Sequence, residues 1–330
     1  MNNLATIPLK SLARIKIIIV ALLPLVLGAC FTGVESTPRI GLSDVRKQQA
    51  SNATAEQLFL TDIKPLPPSQ WQPGRELLVA NNRISLIFTS SSDNCDSLAG
   101  HRLFFDSFST VPSLTGDDVV EATFRTDDGR TLYYRIPSMD KARIDTIAAL
   151  DIPFTVDLAL VAEIDNAMRG RHLYVRTPSW YDFDTKYAVR GLRHVEVAID
   201  SVVPGDENFP ASVCFTVVDD ALRARVCPDG KNWMLYMSIG NSKAATRNFN
   251  TLFAFENPRK LYPEIKDDVW QLIIASRVRE GMTRDECRLA LGVPPNILRV
   301  PTYGGMREQW GYSDGVYLIF DDGFLSRFRL

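Results

Sequence analysis

Five cysteines and three histidines are the residues of this 330-residue chain best able to do nucleophilic, redox or metal chemistry. The histidines, His101, His172 and His194, each sit in a strand-like run. None stands in an H-E-x-x-H pattern or at metal-ligand spacing with a cysteine. A Cys/His hydrolase needs a nucleophilic thiol at the start of a helix and a histidine on neighbouring strands. Cys287 lies on the apolar side of a helical pattern with no histidine after it, and Cys95 with His101 has no evident orienting carboxylate. The paired acids Asp127-Asp128, Asp219-Asp220 and Asp321-Asp322 fall between strand-like runs, where aspartate favours turns through its own backbone hydrogen bonds. Gly304-Gly305 lacks the strand-to-helix setting of a phosphate loop and reads as a loop. The expectation is a chain without catalytic machinery, metal site or cofactor.

Cys214 and Cys227 are the candidate disulfide. "SVCFTVVDDALRARVC" reads as a hairpin, and a two-residue turn at Asp219-Asp220-Ala221-Leu222 sets these cysteines opposite each other at a non-hydrogen-bonded pair. Asp-Ala is a poor turn pair, so a slipped register with two buried thiols is the alternative.

The N-terminus carries the address. Lys10, Arg14 and Lys16 precede an apolar run from Ile17 to Leu27, then Gly28-Ala29-Cys30. This is the order of a secretory signal, and the run is shorter than the ~20 residues a spanning helix needs. Leu27-Gly28-Ala29-Cys30 resembles the lipobox of bacterial lipoproteins. That resemblance implies lipidation of Cys30, a mature chain starting there, and stable membrane attachment by two or three acyl chains. Phe31 after the cysteine resembles the outer-membrane sorting pattern. Removing residues 1–29 takes away three cations and no acids, so net charge moves from −2 to −5. No basic surplus is left for nucleic acid or anionic lipid.

Residues 30–58 read as a polar spacer with a short helix near its end. From residue 59 onwards short alternating runs rich in Val, Ile, Phe, Tyr and Thr predict strands, among them "RELLVANNRISLIF", "HRLFFDSF", "EATFRTDDGRTLYYRI", "RHLYVRT", "RHVEVAID" and "WMLYMSIG". The two halves echo each other. Gly74-Arg75-Glu76-Leu77-Leu78-Val79 matches Gly170-Arg171-His172-Leu173-Tyr174-Val175 at an offset of 96, and Ala122-Thr123-Phe124 matches Val213-Cys214-Phe215 at 91. Such drift is what loop changes produce in a duplicated module. Two β modules follow, 59–150 and 151–258, each the size of a small barrel or sandwich and similar to bacterial SH3-like barrels in size and strand spacing. Trp180, Tyr181 and Phe183 in "TPSWYDFDTKY" form the candidate binding surface for a peptide or glycan. Packing of Trp180 over its own barrel end is the alternative.

Residues 259–330 change character. Val269, Trp270, Ile273, Ile274 and Val278 form one apolar helical stripe behind Pro263. Thr283 and Glu286 form a capping box at the start of a second helix, whose inward face is Cys287, Ala290 and Leu291; Gly292 ends it and Pro294 forbids continuation. Three strands follow, "REQWGYS", "VYLIFDD" and "FLSRFRL", with turns at Asp314-Gly315 and Asp322-Gly323. Gly281-Met282-Thr283, Leu291-Gly292-Val293-Pro294, Trp310, Tyr312 and Phe320-Asp321-Asp322-Gly323 resemble the SmpA/OmlA (BamE-like) lipoprotein domain. The resemblance covers about a fifth of the chain. It implies a helix-helix-three-strand module of an outer-membrane lipoprotein, in a family whose best-known member assists β-barrel assembly. Here the module stands last, behind two β modules. The fold class expected is mainly β with a C-terminal α+β domain. The function expected is a lipid-anchored envelope scaffold binding other envelope proteins, or a lipoprotein binding peptidoglycan peptides or glycans through its β modules.

Overall fold

The computed structural model describes residues 53–90, 97–113, 118–226, 232–239, 247–302 and 305–330. The lipidation candidate Cys30 and the thiols Cys95 and Cys227 lie outside them. The described chain is mainly β and built on three antiparallel sheets. A single helical turn, α1 (Ala55–Leu58), opens it, closed by a Thr54/Gln57 capping box. The first sheet contains β1 (Glu76–Val79), β2 (Phe88–Ser90), β3 (Arg102–Pro112), β4 (Asp118–Thr126), β5 (Thr131–Arg135) and, after the turn α2 (Lys141–Ile144), β6 (Thr155–Asp157). Helix α3 (Leu158–Met168) leads to the second sheet: β7 (His172–Val175), β8 (Ser179–Asp182), β9 (Ala188–Arg190), β10 (Val195–Pro204), β11 (Ala211–Val217), β12 (Trp233–Met237) and β13 (Phe253–Ala254). Helix α4 (Asp220–Val226) lies between β11 and β12, and α5 (Phe249–Leu252) precedes β13. The last part holds α6 (Pro258–Leu261), α7 (Asp267–Ile274), α8 (Arg284–Leu291) and the meander β14 (Asn296–Thr302), β15 (Gly305–Gly311), β16 (Tyr317–Asp321) and β17 (Phe324–Arg329).

The echo between the halves is a repeat of topology. The first sheet runs β2-β5-β4-β3-β1-β6, and the second runs β8-β12-β11-β10-β7-β13 with β9 added beside β8. The local bonds repeat as well. Gly74 N–H donates to Phe105 O at 2.7 Å and Gly170 N–H to Ile199 O at 2.8 Å; Phe105 N–H donates to Arg75 O and Ile199 N–H to Arg171 O. Both glycines take positive φ, and the long strand of each sheet bulges directly after Phe105 or Ile199. Phe124 faces Phe105 across the first sheet as Phe215 faces Ile199 across the second, which is the offset of 91.

The expected hairpin of Cys214 and Cys227 is not formed. Asp219 accepts from Leu222 N–H at 2.8 Å and starts α4, whose Ala, Leu and Arg residues are good helix formers. Cys214 is a buried free thiol whose neighbours across the sheet are Ser201 and Met234. Helix α3, absent from the sequence reading, is capped by the Asp157 carboxylate and buries Leu160, Val161, Ile164 and Met168 at helical spacing. Asp165 on its flank accepts Val202 N–H at 2.6 Å, satisfying a backbone donor beside the bulge of β10. The run "RELLVANNRISLIF" is two strands separated by a 3-10 turn at Asn82–Leu86.

The apolar residues form two clusters. One fills the first sheet from Trp71 to Ile152; the other runs from Val156 to Leu325 and joins the second sheet, the helices and the last sheet. The joint between the second sheet and the helices is polar at its centre. Helix α7 ends at Ile274, with Ser276 in the left-handed region, and α8 ends at Leu291, capped by Gly292 at φ 90. Arg193 sits between these ends. Its Nη1 donates to Arg176 O at 2.7 Å, Nη2 to Leu291 O at 3.3 Å and Nε to Ser276 Oγ at 3.2 Å, while its backbone N–H donates to Ile274 O. These partners are carbonyls and a hydroxyl; burial lowers the guanidinium pKa to about 10. Next to it His194, φ 56, lies against Trp270 with Nε2 3.0 Å from Leu289 O. Burial holds its pKa down, at about 4.

Two outcomes are expected from this joint. Arg193→Met strips the two helix ends of their donor and should cost about 3 kcal/mol in urea unfolding, whereas Arg102→Met, at an exposed pair, should cost under about 1 kcal/mol. His194 is neutral when folded and binds a proton below about pH 6.5 when unfolded. Stability should therefore fall as pH drops from about 6.5 to 4, by up to about 3 kcal/mol for this group. His194→Asn, which tolerates positive φ and does not titrate, should flatten that slope.

Candidate functional site

The residues singled out from the sequence separate in space. Trp180 is core: fully buried, its Nε1 donating to Thr177 O at 2.9 Å and its ring edge-on to Phe215. Gly191 lies directly against that indole, where an added Cβ would come within 2.0 Å of the ring. Tyr181 is half-buried on the opposite face of β8, as the two-residue period requires, and Phe183 is half-buried beneath Lys186 Nζ at 4.3 Å. The expected three-aromatic loop surface is therefore corrected: these residues belong to a strand and its turn. Asp182 between them is buried and accepts from Asp184 N–H, Thr185 N–H and Thr185 Oγ1. Tyr181 instead joins Tyr236 at 4.8 Å, with Arg247 stacked 5.1 Å from both Tyr181 and Phe209. That cluster draws on four separate segments, which a linear window does not reveal.

His101 does have an orienting carboxylate, contrary to expectation. Asp127 lies 2.6 Å from its Nδ1, and that hydrogen bond holds the Asp127 carboxyl below its ordinary range. His172 pairs likewise with Glu196 at 2.8 Å. Both pairs are on the surface. Among the described residues no group of three His, Cys, Asp or Glu side chains is placed to hold a metal. Cys287 is fully buried in α8, and burial pushes its thiol up to about 12.

The C-terminal sheet leaves one face open among the described residues. The capping box forms as expected, with Glu286 accepting from Thr283 N–H and Thr283 Oγ1 from Glu286 N–H. Cys287 and Ala290 face inward, and Leu291 is half-buried. Val269, Trp270, Ile273 and Ile274 are buried along α7; Val278 is buried beyond its end, and the helix starts at Asp267, later than Pro263 suggests. The sequence reading gave three strands and the sheet has four. β14 contains Pro301 and stands at the edge, where a missing N–H costs nothing. The Asp322-Gly323 turn has both residues at positive φ, the two-residue hairpin geometry.

One face of this sheet carries Trp310, Leu318, Phe320 and Leu325 into the core. On the other face cross-strand neighbours are set by register: Val300, Arg307, Asp321 and Phe324 in one row, and Leu298, Gln309, Ile319 and Arg327 in the next. Arg329 and Tyr317 complete it. Leu298, Val300 and Phe324 are exposed there, and no described element covers them. Arg307 pairs with Asp321 at 2.8 Å, leaving Arg327 and Arg329 to give the face a positive surplus.

Glu308, on the inner side, is buried and charged. Arg284 Nε lies 2.8 Å from its Oε2, Arg299 3.3 Å from Oε1, and Trp310 Nε1 donates to it at 3.1 Å. Burial raises its pKa, but the Trp310 hydrogen bond and the two guanidinium groups outweigh this and hold it below the ordinary value. Glu308, Arg284 and Arg299, with Arg288 stacked on Trp310, line a cleft of about 610 Å³ between α8 and the strands β14 and β15. No family model, curated protein or solved structure matches the chain.

Glu308→Gln keeps the shape and removes the charge that holds Arg284, Arg299 and Trp310 together. It should cost about 2–3 kcal/mol by thermal or urea unfolding, far more than Asp321→Asn on the exposed face.

Proposed function

We propose that this chain is a cell-envelope binding protein, anchored through a lipid on Cys30 to the outer membrane, that presents the open face of its C-terminal sheet to an envelope protein. The observation that carries the reading is that face: exposed Leu298, Val300 and Phe324 flanked by Arg307, Arg327 and Arg329 against a single acid, Asp321. A protein surface with apolar residues among carboxylates fits it, because burial of Phe324 and Leu298 supplies affinity while the arginines select charge. The BamE-like reading is supported by two helices in front of an antiparallel meander, with the capping box at Thr283 and the closed turn at Asp322-Gly323. The SH3-like reading of the tandem modules is supported by the short, bulged strips in which the first and last strands, β1 and β6 or β7 and β13, are neighbours. In this reading the tandem modules serve as spacer and support, and the chain binds rather than catalyses. A second reading, binding of peptidoglycan peptides or glycans by the β modules, is favoured by the half-buried cluster of Tyr181, Phe209, Tyr236 and Arg247.

A photo-crosslinking residue at Gln309, in the middle of the open face, separates these readings when compared with one at exposed Glu163 in living cells. The first reading expects adducts to integral β-barrel proteins or their assembly factors from Gln309 only, reduced roughly tenfold by Phe324→Glu. Equal adducts from both positions, or sedimentation with purified peptidoglycan that Tyr236→Ala abolishes and Phe324→Glu leaves intact, would overturn it.

A further inference from the structure

A second, smaller cavity of about 260 Å³ lies where β9, α4 and the segment after α7 meet, and three of its lining residues are Arg190, Arg225 and Arg277. Among the described residues no acid lines it; Gly191, Leu192 and Val226 make much of the rest. Three cations drawn from three elements into one cavity repel each other unless an anion offsets them. Their lack of carboxylate partners is local, because the arginines two positions away are paired: Arg223 with Asp220 and Arg279 with Asp268. Arg190 is fixed in place by donating from Nη2 to Ser276 O at 2.8 Å, which leaves its other N–H groups available. Arg225 and Arg277 are exposed and make no ion pair or hydrogen bond through their side chains among the described residues.

We infer that this cavity is a binding site for a phosphate-type oxyanion, held by guanidinium forks from Arg190, Arg225 and Arg277. Guanidinium is the side chain suited to this task, since its donors match phosphate oxygens in pairs. The volume accommodates a single phosphoryl group with a small substituent, whether that group is free in solution or belongs to a lipid head. The site is separate from the open sheet face and does not depend on the function proposed for it.

The test titrates the full chain in neutral detergent micelles with inorganic phosphate, and in parallel with micelles doped with phosphatidylglycerol, using KCl at matched ionic strength as the control. Unfolding temperature and calorimetric binding are read for the natural chain and for Arg225→Gln/Arg277→Gln, a double substitution at exposed positions. Phosphate or doped micelles should raise the unfolding temperature of the natural chain beyond KCl, and the double substitution should weaken binding roughly tenfold or more. A response to free phosphate assigns a soluble oxyanion; a response to doped micelles alone assigns a lipid head. The inference is overturned if the substituted chain responds as the natural one does, or if neither probe exceeds KCl.

Discussion

A part-buried guanidinium, Arg193, without a carboxylate partner among the described residues holds the larger half of this molecule together. Taking a cation such as Arg193 out of water costs several kcal/mol, and the cost is met here by oxygen dipoles: the carbonyls of Arg176 and Leu291 and the hydroxyl of Ser276. Two of these contacts lie at or just past the ends of α7 and α8, where unpaired carbonyls concentrate negative potential. The arrangement satisfies both sides at once. Helix ends that would otherwise need solvent are closed by the β module, and the cation is closed by the helices.

This constraint explains why one of the two modules of like topology carries the C-terminal part. By the matched backbone bonds, Gly100 N–H to Val79 O and His194 N–H to Val175 O, the turn Leu98-Ala99-Gly100 corresponds to Leu192-Arg193-His194. The first copy has Ala99 and Gly100 where the second has the docking pair, and it has no helix ends to cap. His194 accepts the positive φ that glycine takes more easily, and in return packs on Trp270 and reaches Leu289. The last sheet then rests on a continuous apolar cluster shared with the second module. A rigid support of this kind lets its outer face stay open.

The parts of the fold legible in the sequence were those written in local period and punctuation. The offsets of 96 and 91 named the repeat, Thr283 with Glu286 named the start of α8, and Asp322-Gly323 named a hairpin turn. What stayed hidden depends on competing local signals or on partners distant in sequence. "ALRARVC" alternates well enough to pass for a strand, and only the Asp219 cap and helix propensity make it α4. β14 was missed because Pro301 argues against a strand unless the strand is an edge. For Trp180 the sequence leaves a binding surface and packing into its own module both open; the structure has it packed, and the small Gly191 against its ring is what admits it to the core. Arg193 reads as an ordinary surface arginine until two helix ends are placed beside it.

The claim that the second β module and the C-terminal helices and sheet form one cooperative body is tested most directly by native-state hydrogen exchange of backbone amides. The account predicts that slow amides of β10 and β11 and those of β15 and β16 open with the same free energy and the same denaturant dependence, while those of the first sheet are free to differ. Opening of β15 and β16 at a distinctly lower free energy, with β10 and β11 still protected, would show that the Arg193 joint does not couple them and would contradict the account.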